Sequence, residues 1–270
     1  MEQDDRLARQ RSPNARLPPA RDGRDHQDAW FFLVVALLFL IQATLGAAIE
    51  HYRADLSSFF GLDLARLLPY NLARTWHVQL SLFWTAAAFL AAAIFLAPII
   101  SGREPRRQHV LAYGLLGALA IVVGGTLAGT AISTFGPEWA KGSIFFDQQW
   151  EYLDLPRFWQ ILLVVGLFLW ILMIYRAIRS RLRTESKFNM PWLFLYAGLA
   201  IPAFYPVGLL ATNGTHLTVA EFWRFWVVHL WVEDFLELFT TVMVAYIFVM
   251  LGVVRRKIAI QIIFLDVILY

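Results

Sequence analysis

The sequence predicts an all-α protein, a polytopic bundle of transmembrane helices with six full spans and the start of a seventh. Three observations support this fold class. Of the 270 residues, 59% are hydrophobic and only 16% are charged, whereas a soluble domain carries roughly 25% charged residues. Twelve of the charged residues fall within the first 28 positions. Apolar stretches of about 20 residues, the length that crosses a bilayer, recur along the rest of the chain.

The chain divides into a tail and one membrane domain. Residues 1–28 mix Arg, Asp, Pro and Gln with few large apolar side chains, so we expect a disordered tail. The remaining residues, 29–270, should form the membrane domain, with spans predicted at 29–49, 75–100, 109–132, 158–175, 190–211 and 225–254. The last apolar run, 258–270, would rise only about 20 Å, too little to cross. We therefore expect a fragment that stops inside a seventh helix.

Local sequence features add structural predictions for two of these spans and for the segment before the second span. Pro202 and Pro206 should kink the fifth span, because proline removes a helical hydrogen bond. Gly125 and Gly129 give the third span a face of small residues that suits close helix contact. The segment Ser58–Leu68, SFFGLDLARLL, is predicted to form an interfacial amphipathic helix before the second span.

The distribution of basic residues predicts the orientation. The tail and the loops 99–108, 176–190 and 255–257 carry 17 Lys and Arg residues, and the opposite side carries 6. By the positive-inside rule the tail is then cytoplasmic, in a multi-pass membrane protein. The same clusters account for the net charge of +3 without a nucleic-acid partner. The absence of cysteine excludes disulfides and thiolate metal sites.

Four ionisable residues, His229, Glu233, Asp234 and Glu237, lie inside the sixth predicted span. Each ionised acid there costs about 2.5 to 3.5 kcal/mol, so each needs a partner. Steps of four residues place His229, Glu233 and Glu237 along one helix face, with Asp234 elsewhere. An imidazole and a carboxylate one turn apart can chelate a divalent ion, and mixed nitrogen and oxygen donors favour iron. A hydrogen bond between helices, or the proton path of a transporter, would explain the pattern equally well.

Other polar residues lie near the predicted outer surface. His77, close to the start of the second span, is either a buried hydrogen-bonding group or a haem ligand. Arg74 could reach the lipid headgroups or neutralise a haem propionate. Glu151 and Asp154, in the loop 133–157, are either solvated charges or a site for a hard cation.

Several motifs resemble those of one known family. They are YNLARTWHVQLSLFW, WEYLDL, EFWRFWVVHLWVEDFLELFTTVMVAY and the terminal LDVILY. Together they resemble the quinol-dependent nitric oxide reductases of the haem-copper oxidase superfamily. The resemblance implies that residues 29–270 are the N-terminal part of a catalytic membrane domain of this type. It also implies the reaction, in which two NO are reduced to nitrous oxide and water with electrons from quinol.

The resemblance also implies a cofactor set and its ligands. The family's low-spin haem b is bound by a His that matches His77. Its non-haem iron, which faces the high-spin haem b3, is bound by residues matching His229 and Glu233. The residue matching Glu237 is implicated in proton delivery, and the one matching Glu151 in a calcium site that bridges haem propionates.

The pair His51 and Asp55 resembles the family's His-x-x-x-acid pair near the quinol site, although Glu is usual at the second position. Gln149 and Pro156 replace glycines expected around WEYLDL, and the hydrophilic domain expected before the first span is replaced by the polar tail. The other haem and iron ligands would lie beyond Tyr270. The partners expected are therefore the missing C-terminal helices, quinol, NO and the lipid bilayer.

Two rival interpretations stay open. An oxygen-reducing haem-copper oxidase has, in the family pattern, a Tyr four residues after the His of the sixth span and binds copper there. In this chain that position is Glu233. A non-catalytic membrane module, either a proton-conducting transporter or a truncated product, belongs to a different class.

Overall fold

The computed structural model describes residues 26–55, 58, 60–146, 155–212 and 214–269, and within these ranges it contains helices and no strands. The α-helices are α1 (His26–Asp55), α2 (Tyr70–Ser101), α3 (Gln108–Phe135), α4 (Arg157–Leu182), α5 (Met190–Phe204), α6 (Leu217–Phe225), α7 (Glu237–Met250) and α8 (Arg256–Leu269). A π-helix, Trp226–Leu236, joins α6 to α7, and short 3₁₀ helices lie at Leu64–Arg66, Glu138–Ala140 and Tyr205–Leu210. The all-α prediction is confirmed. Most of the predicted tail, residues 1–25, lies outside the described ranges.

Five helical segments are long and apolar enough to cross a membrane: Ala29–Asp55, Tyr70–Ser101, Gln108–Phe135, Arg157–Leu182 and Met190–Leu210. They correspond in order to the first five predicted spans. The sixth predicted span corresponds to α6, the π-helix and α7, which follow one another without a break. This sixth segment does not meet the length and composition of a membrane-spanning helix, because it is divided into three helices and carries acidic residues at its centre. The chain is a multi-pass membrane protein.

An aromatic cluster joins α4, α5 and α7 in the core. Trp170 and Phe239 are almost fully buried and meet edge to face, with ring centroids 5.7 Å apart. Phe194 packs against the same Phe239 ring at 5.2 Å. The indole N–H of Trp170 donates to the carbonyl oxygen of Leu90 at 3.3 Å, which ties α4 to α2. Edge-to-face pairs contribute about 0.5–1.5 kcal/mol beyond their burial, so this cluster fixes the centre of the bundle.

The small-residue face of α3 makes the close contacts that its sequence predicts. A Cβ atom at Gly125 would overlap Cη2 of Trp159, the third residue of α4. A Cβ atom at Gly129 would lie 2.7 Å from the carbonyl oxygen of Phe145. Trp159 in turn donates from its indole N–H to that carbonyl at 2.8 Å. Glycine therefore allows the start of α4 and the preceding loop to lie directly against α3.

The fifth span changes helix type where proline interrupts it. The α-helical segment ends at Phe204, and a 3₁₀ helix continues it from Tyr205 to Leu210. Pro202 and Pro206 flank the transition. Because proline lacks an N–H, the α-helical hydrogen bonding cannot continue through Pro206.

The amphipathic helix predicted at Ser58–Leu68 is wrong. Of the described residues in this segment, only Leu64–Arg66 form a helix, and it is a single 3₁₀ turn. Phe60 and Gly61 have φ angles of 52° and 80°, which belong to the left-handed region and stop a right-handed helix. The alternation of apolar and charged residues therefore belongs to a turn rather than to a helix face.

Candidate functional site

The π-helix Trp226–Leu236 carries the residues that the sequence singles out in the sixth span. In a π-helix each N–H pairs with the carbonyl five residues earlier, so one turn holds more residues than an α-turn. Helices of this kind are rare and are frequently found at functional sites. The eleven residues here include His229, Glu233 and Asp234, and Glu237 begins the α-helix that follows.

His229 and Glu233 form a direct pair. Nδ1 of His229 donates to Oε2 of Glu233 over 2.9 Å, and the side chains are 42% and 54% exposed. Phe225 lies over the imidazole, with ring centroids 4.4 Å apart, and limits the rotation of His229. Two ligand atoms bound at right angles, each about 2.1 Å from one metal ion, are about 3 Å apart. The spacing and the nitrogen and oxygen atoms of this pair therefore fit two neighbouring positions around a metal that takes the place of the Nδ1 proton.

The structure does not add a third donor to the pair. Glu237 is exposed and Asp234 is half-buried, and the described residues contain no group of three or more His, Asp or Glu residues that could hold a metal. The predicted alignment of His229, Glu233 and Glu237 assumed α-helical spacing throughout. In the structure His229 and Glu233 both lie in the π-helix and contact each other, whereas Glu237 belongs to the α-helix that follows.

Trp231 anchors the π-helix to the fifth span. Its side chain is fully buried and its indole N–H donates to the carbonyl oxygen of Ile201 at 2.8 Å. It also packs against Tyr205, with ring centroids 5.0 Å apart. A largely apolar cavity of about 310 Å³ adjoins this contact and is lined by residues of α2, α4, the 3₁₀ helix and the π-helix. Trp231 faces inward to this cavity, whereas Glu233 is exposed on the surface of the described bundle.

His77 lies against α1, and its ring is oriented by that helix. Nδ1 lies 2.8 Å from the backbone carbonyl oxygen of Gln42, which can only accept, so Nδ1 donates. Nε2 then carries the lone pair, and the side-chain amide of Gln42 donates to it at 3.1 Å. Metal-ligating histidines commonly donate their other ring N–H to a carbonyl. Nε2 is therefore the atom through which His77 would hold a haem iron, in place of its hydrogen bond from the Gln42 amide.

Close packing on α1 positions the His77 ring further. A Cβ atom at Gly46 would lie 2.8 Å from Cε1 of the ring, so any larger residue there would displace it. Arg74 lies three residues before His77, one helical turn away, and is half-buried. This places a guanidinium group beside the His77 site, where it could meet a carboxylate such as a propionate.

The predicted quinol pair lies at the end of α1. His51 accepts a hydrogen bond at Nε2 from the backbone N–H of Phe60 at 3.3 Å, and the two rings stack with centroids 4.8 Å apart. Asp55 accepts a hydrogen bond from the hydroxyl of Ser58. Both side chains are thus held by the turn that follows α1. Glu151, the predicted calcium ligand, and Asp154 lie outside the described residues.

Sequence reasoning missed the residues that position the site. Gln42 has a visible signal, since it is a polar amide inside the apolar stretch 29–49. Gly46 and Trp231 have no comparable signal, because a single glycine or tryptophan in an apolar helix does not reveal which neighbour it contacts.

Comparison with known proteins identifies the family of this chain. The family of cytochrome c and quinol oxidase polypeptide I matches residues 28–270. A subunit of the nitric oxide reductase of Stutzerimonas stutzeri is 25% identical over 233 residues, which are 84% of this chain and 46% of the relative. The chain thus spans just under half the length of that relative. Because the family match covers nearly the whole sequence, the chain belongs to the cytochrome c and quinol oxidase polypeptide I family.

Proposed function

We propose that this chain forms the N-terminal part of the catalytic domain of a nitric oxide reductase that takes electrons from quinol. Quinol gives up two electrons and two protons, and two NO molecules take them up to form one N₂O and one water. The observation that carries the proposal is the contact between Glu233 and His229 at 2.9 Å. The similarity to a nitric oxide reductase subunit supports it.

His229 and Glu233 would hold the non-haem iron, with further ligands from outside this chain. Together with the high-spin haem b3, this iron would supply a redox-active cation at which NO can bind. Glu233 contributes a negative charge that offsets part of the charge of the ion in a low-dielectric setting, where an unpaired ion costs several kcal/mol. Glu237, exposed one helical turn farther along, is the proposed proton donor towards this site.

His77 would hold the low-spin haem b, with its ring positioned by Gln42 and Gly46. Arg74 would pair with a haem propionate, because a guanidinium binds a carboxylate through two parallel hydrogen bonds. Glu151 is proposed as a calcium ligand near these propionates. Carboxylate oxygens are the donors that calcium prefers.

His51 and Asp55 are the proposed quinol contacts. A histidine and a carboxylate at one helix end can accept the two protons released when quinol is oxidised. The proposed setting is the bacterial inner membrane, with the tail and the basic loops on the cytoplasmic side, as the 17 to 6 distribution of Lys and Arg supports.

Oxygen reduction is the second candidate function, because the family to which the chain belongs includes cytochrome c and quinol oxidases. The two activities differ at the residue four positions after His229. A tyrosine there would supply a phenol to oxygen chemistry beside copper, whereas Glu233 supplies a hard carboxylate that suits iron. The presence of Glu233 therefore favours nitric oxide reduction.

The test is Glu233→Gln in the protein purified from its native membranes together with whatever copurifies with it. The change keeps the size of the side chain and removes its charge. We expect iron content and NO turnover to fall at least about tenfold, the lower end of the effect of disturbing a metal site. The haem b spectrum should persist, because His77 lies on α2.

Glu138→Gln is the matched control, since Glu138 is an exposed loop residue paired with Lys141 at 2.7 Å. It should leave iron content and turnover unchanged. Full iron occupancy and normal NO reduction in Glu233→Gln would refute the ligand assignment. Copper in place of iron in the unaltered protein would favour the oxidase alternative.

A further inference from the structure

A second polar site lies at the end of the bundle where α2 and α4 end and α3 begins. A cavity of about 400 Å³ opens there, and five arginines line it together with Pro105 and Ser180: Arg103, Arg106, Arg176, Arg179 and Arg183. None of these residues belongs to the site proposed above.

Two separate elements bring the arginines together. Arg176 and Arg179 lie three residues apart on one face of α4, and Arg183 follows four residues later, directly after the end of that helix. Arg103 and Arg106 come from the loop between α2 and α3. A hydrogen bond of 3.3 Å from Nη2 of Arg176 to the carbonyl oxygen of Arg106 joins the loop to the helix.

The described residues place no ion-pair partner on the arginines of this cavity. In the part of the chain that the structure describes, none of the five guanidinium groups forms an ion pair. Glu104 lies in the same loop but not in the cavity wall. Glu185, just beyond α4, pairs with Arg256 at 2.7 Å and accepts a hydrogen bond from Asn189. Among the residues that the structure describes, five positive charges therefore line the cavity, and the nearest acid along the chain, Glu104, is not part of its wall.

Helix dipoles explain only part of this arrangement. Arginines in the last turns of α4 are stabilised by the negative end of that helix. Arg103 and Arg106, in contrast, precede the N-terminus of α3, where the dipole is positive and disfavours cations. Their placement towards the same cavity as the α4 arginines raises the electrostatic energy unless an anion binds there.

We propose that this cavity binds a phosphate group, either that of an anionic phospholipid headgroup or free inorganic phosphate or pyrophosphate. Guanidinium groups bind phosphate oxygens through paired hydrogen bonds, and the hydroxyl of Ser180 can donate one more. Basic pockets between membrane helices are suited to phospholipid headgroups. Leu172, 50% exposed and four residues before Arg176 on the same face of α4, would lie beside an acyl chain.

The experiment measures ligand binding to the full chain purified in a neutral detergent. The unfolding midpoint is followed by tryptophan fluorescence during titration with phosphatidylglycerol, phosphatidylcholine or inorganic pyrophosphate. The test variant is Arg176→Gln with Arg179→Gln. The matched control is Arg255→Gln with Lys257→Gln, which removes two exposed charges from another basic segment and leaves the cavity wall intact.

We expect phosphatidylglycerol to raise the unfolding midpoint, and the double variant to bind it at least tenfold more weakly than the control does. The same loss of binding for pyrophosphate, without an effect of phosphatidylglycerol, would support the site with a soluble phosphate as its ligand. Arg179→Lys keeps the charge but not the paired hydrogen bonds, so this variant should bind the phosphate probe with intermediate affinity. If the double variant does not fold, Arg179→Lys is the test variant in its place.

Two results would overturn the proposal. One is equal stabilisation by phosphatidylcholine and phosphatidylglycerol with no response to pyrophosphate, which would indicate general lipid solvation. The other is unchanged affinity for every phosphate probe in the Arg176 and Arg179 variants, which would place binding elsewhere.

Discussion

The imidazole of His77 is oriented by a neighbouring helix rather than by its own. The backbone of Gln42 fixes which ring nitrogen donates, and Gly46 provides the space for the ring. The RTWH motif allows His77 itself to be predicted from the sequence. Its contacts could not be predicted, because helical periodicity gives the face on which a residue lies and not the residue that faces it. Gln42 and Gly46 come together with His77 only through the packing of α1 on α2.

At this scale, Gly46→Ala should destabilise the protein although alanine is the better helix former. The new Cβ atom would lie 2.8 Å from Cε1 of His77, and moving the ring breaks its hydrogen bond to the Gln42 carbonyl. Overpacking of this kind costs about 1–3 kcal/mol. The loss is measured as a lower unfolding midpoint of the purified chain.

Gly117→Ala in α3 is the matched control, because a Cβ atom there meets nothing within 4 Å. It should stabilise the chain by about 0.5–1 kcal/mol through the better helix propensity of alanine. Equal effects of the two substitutions would show that the His77 ring is not closely held by α1.

At the scale of elements, the π-helix is the feature that sequence patterns could not predict. The sixth predicted span is helical throughout its described length, but a helix-face argument assumes 3.6 residues per turn along the whole segment. The buried Trp231 and the exposed Glu233 are only two residues apart. The contact of Trp231 with Ile201 stabilises the π-helix against α5, and it turns the pair of His229 and Glu233 to the side of the helix away from the cavity.

Trp231→Phe tests this anchoring role. The change removes the indole N–H that donates to Ile201 at 2.8 Å and leaves a gap beside the adjoining cavity. We expect a loss of about 1–3 kcal/mol in unfolding free energy, since a hydrogen bond contributes about 1 kcal/mol and lost packing adds to it. Trp139→Phe, at a side chain that is 69% exposed, should change stability by less than about 0.5 kcal/mol. Similar effects in both variants would contradict the anchoring role.

At the scale of the whole molecule, the bundle presents the proposed iron-binding pair on an open face. His229 and Glu233 are both about half exposed, and two donors do not complete the coordination of an iron ion. The sequence predicted the spans well because a hydrocarbon core of fixed thickness demands long apolar helices. It could not predict how many ligands this chain brings together, because that depends on the angle between helices and on segments beyond those described.

The orientation of the bundle is the last prediction, and the absence of cysteine makes it easy to test. A single cysteine can be introduced into the otherwise cysteine-free chain at Ser186, in the basic loop before α5, or at Glu138, in the loop after α3. Both positions are exposed. If the 17 basic residues lie on the cytoplasmic side, a membrane-impermeant maleimide should label Glu138→Cys in intact spheroplasts and Ser186→Cys only after lysis. The opposite pattern would invert the bundle and place the cavity of five arginines on the outer face, where the positive-inside rule does not account for it.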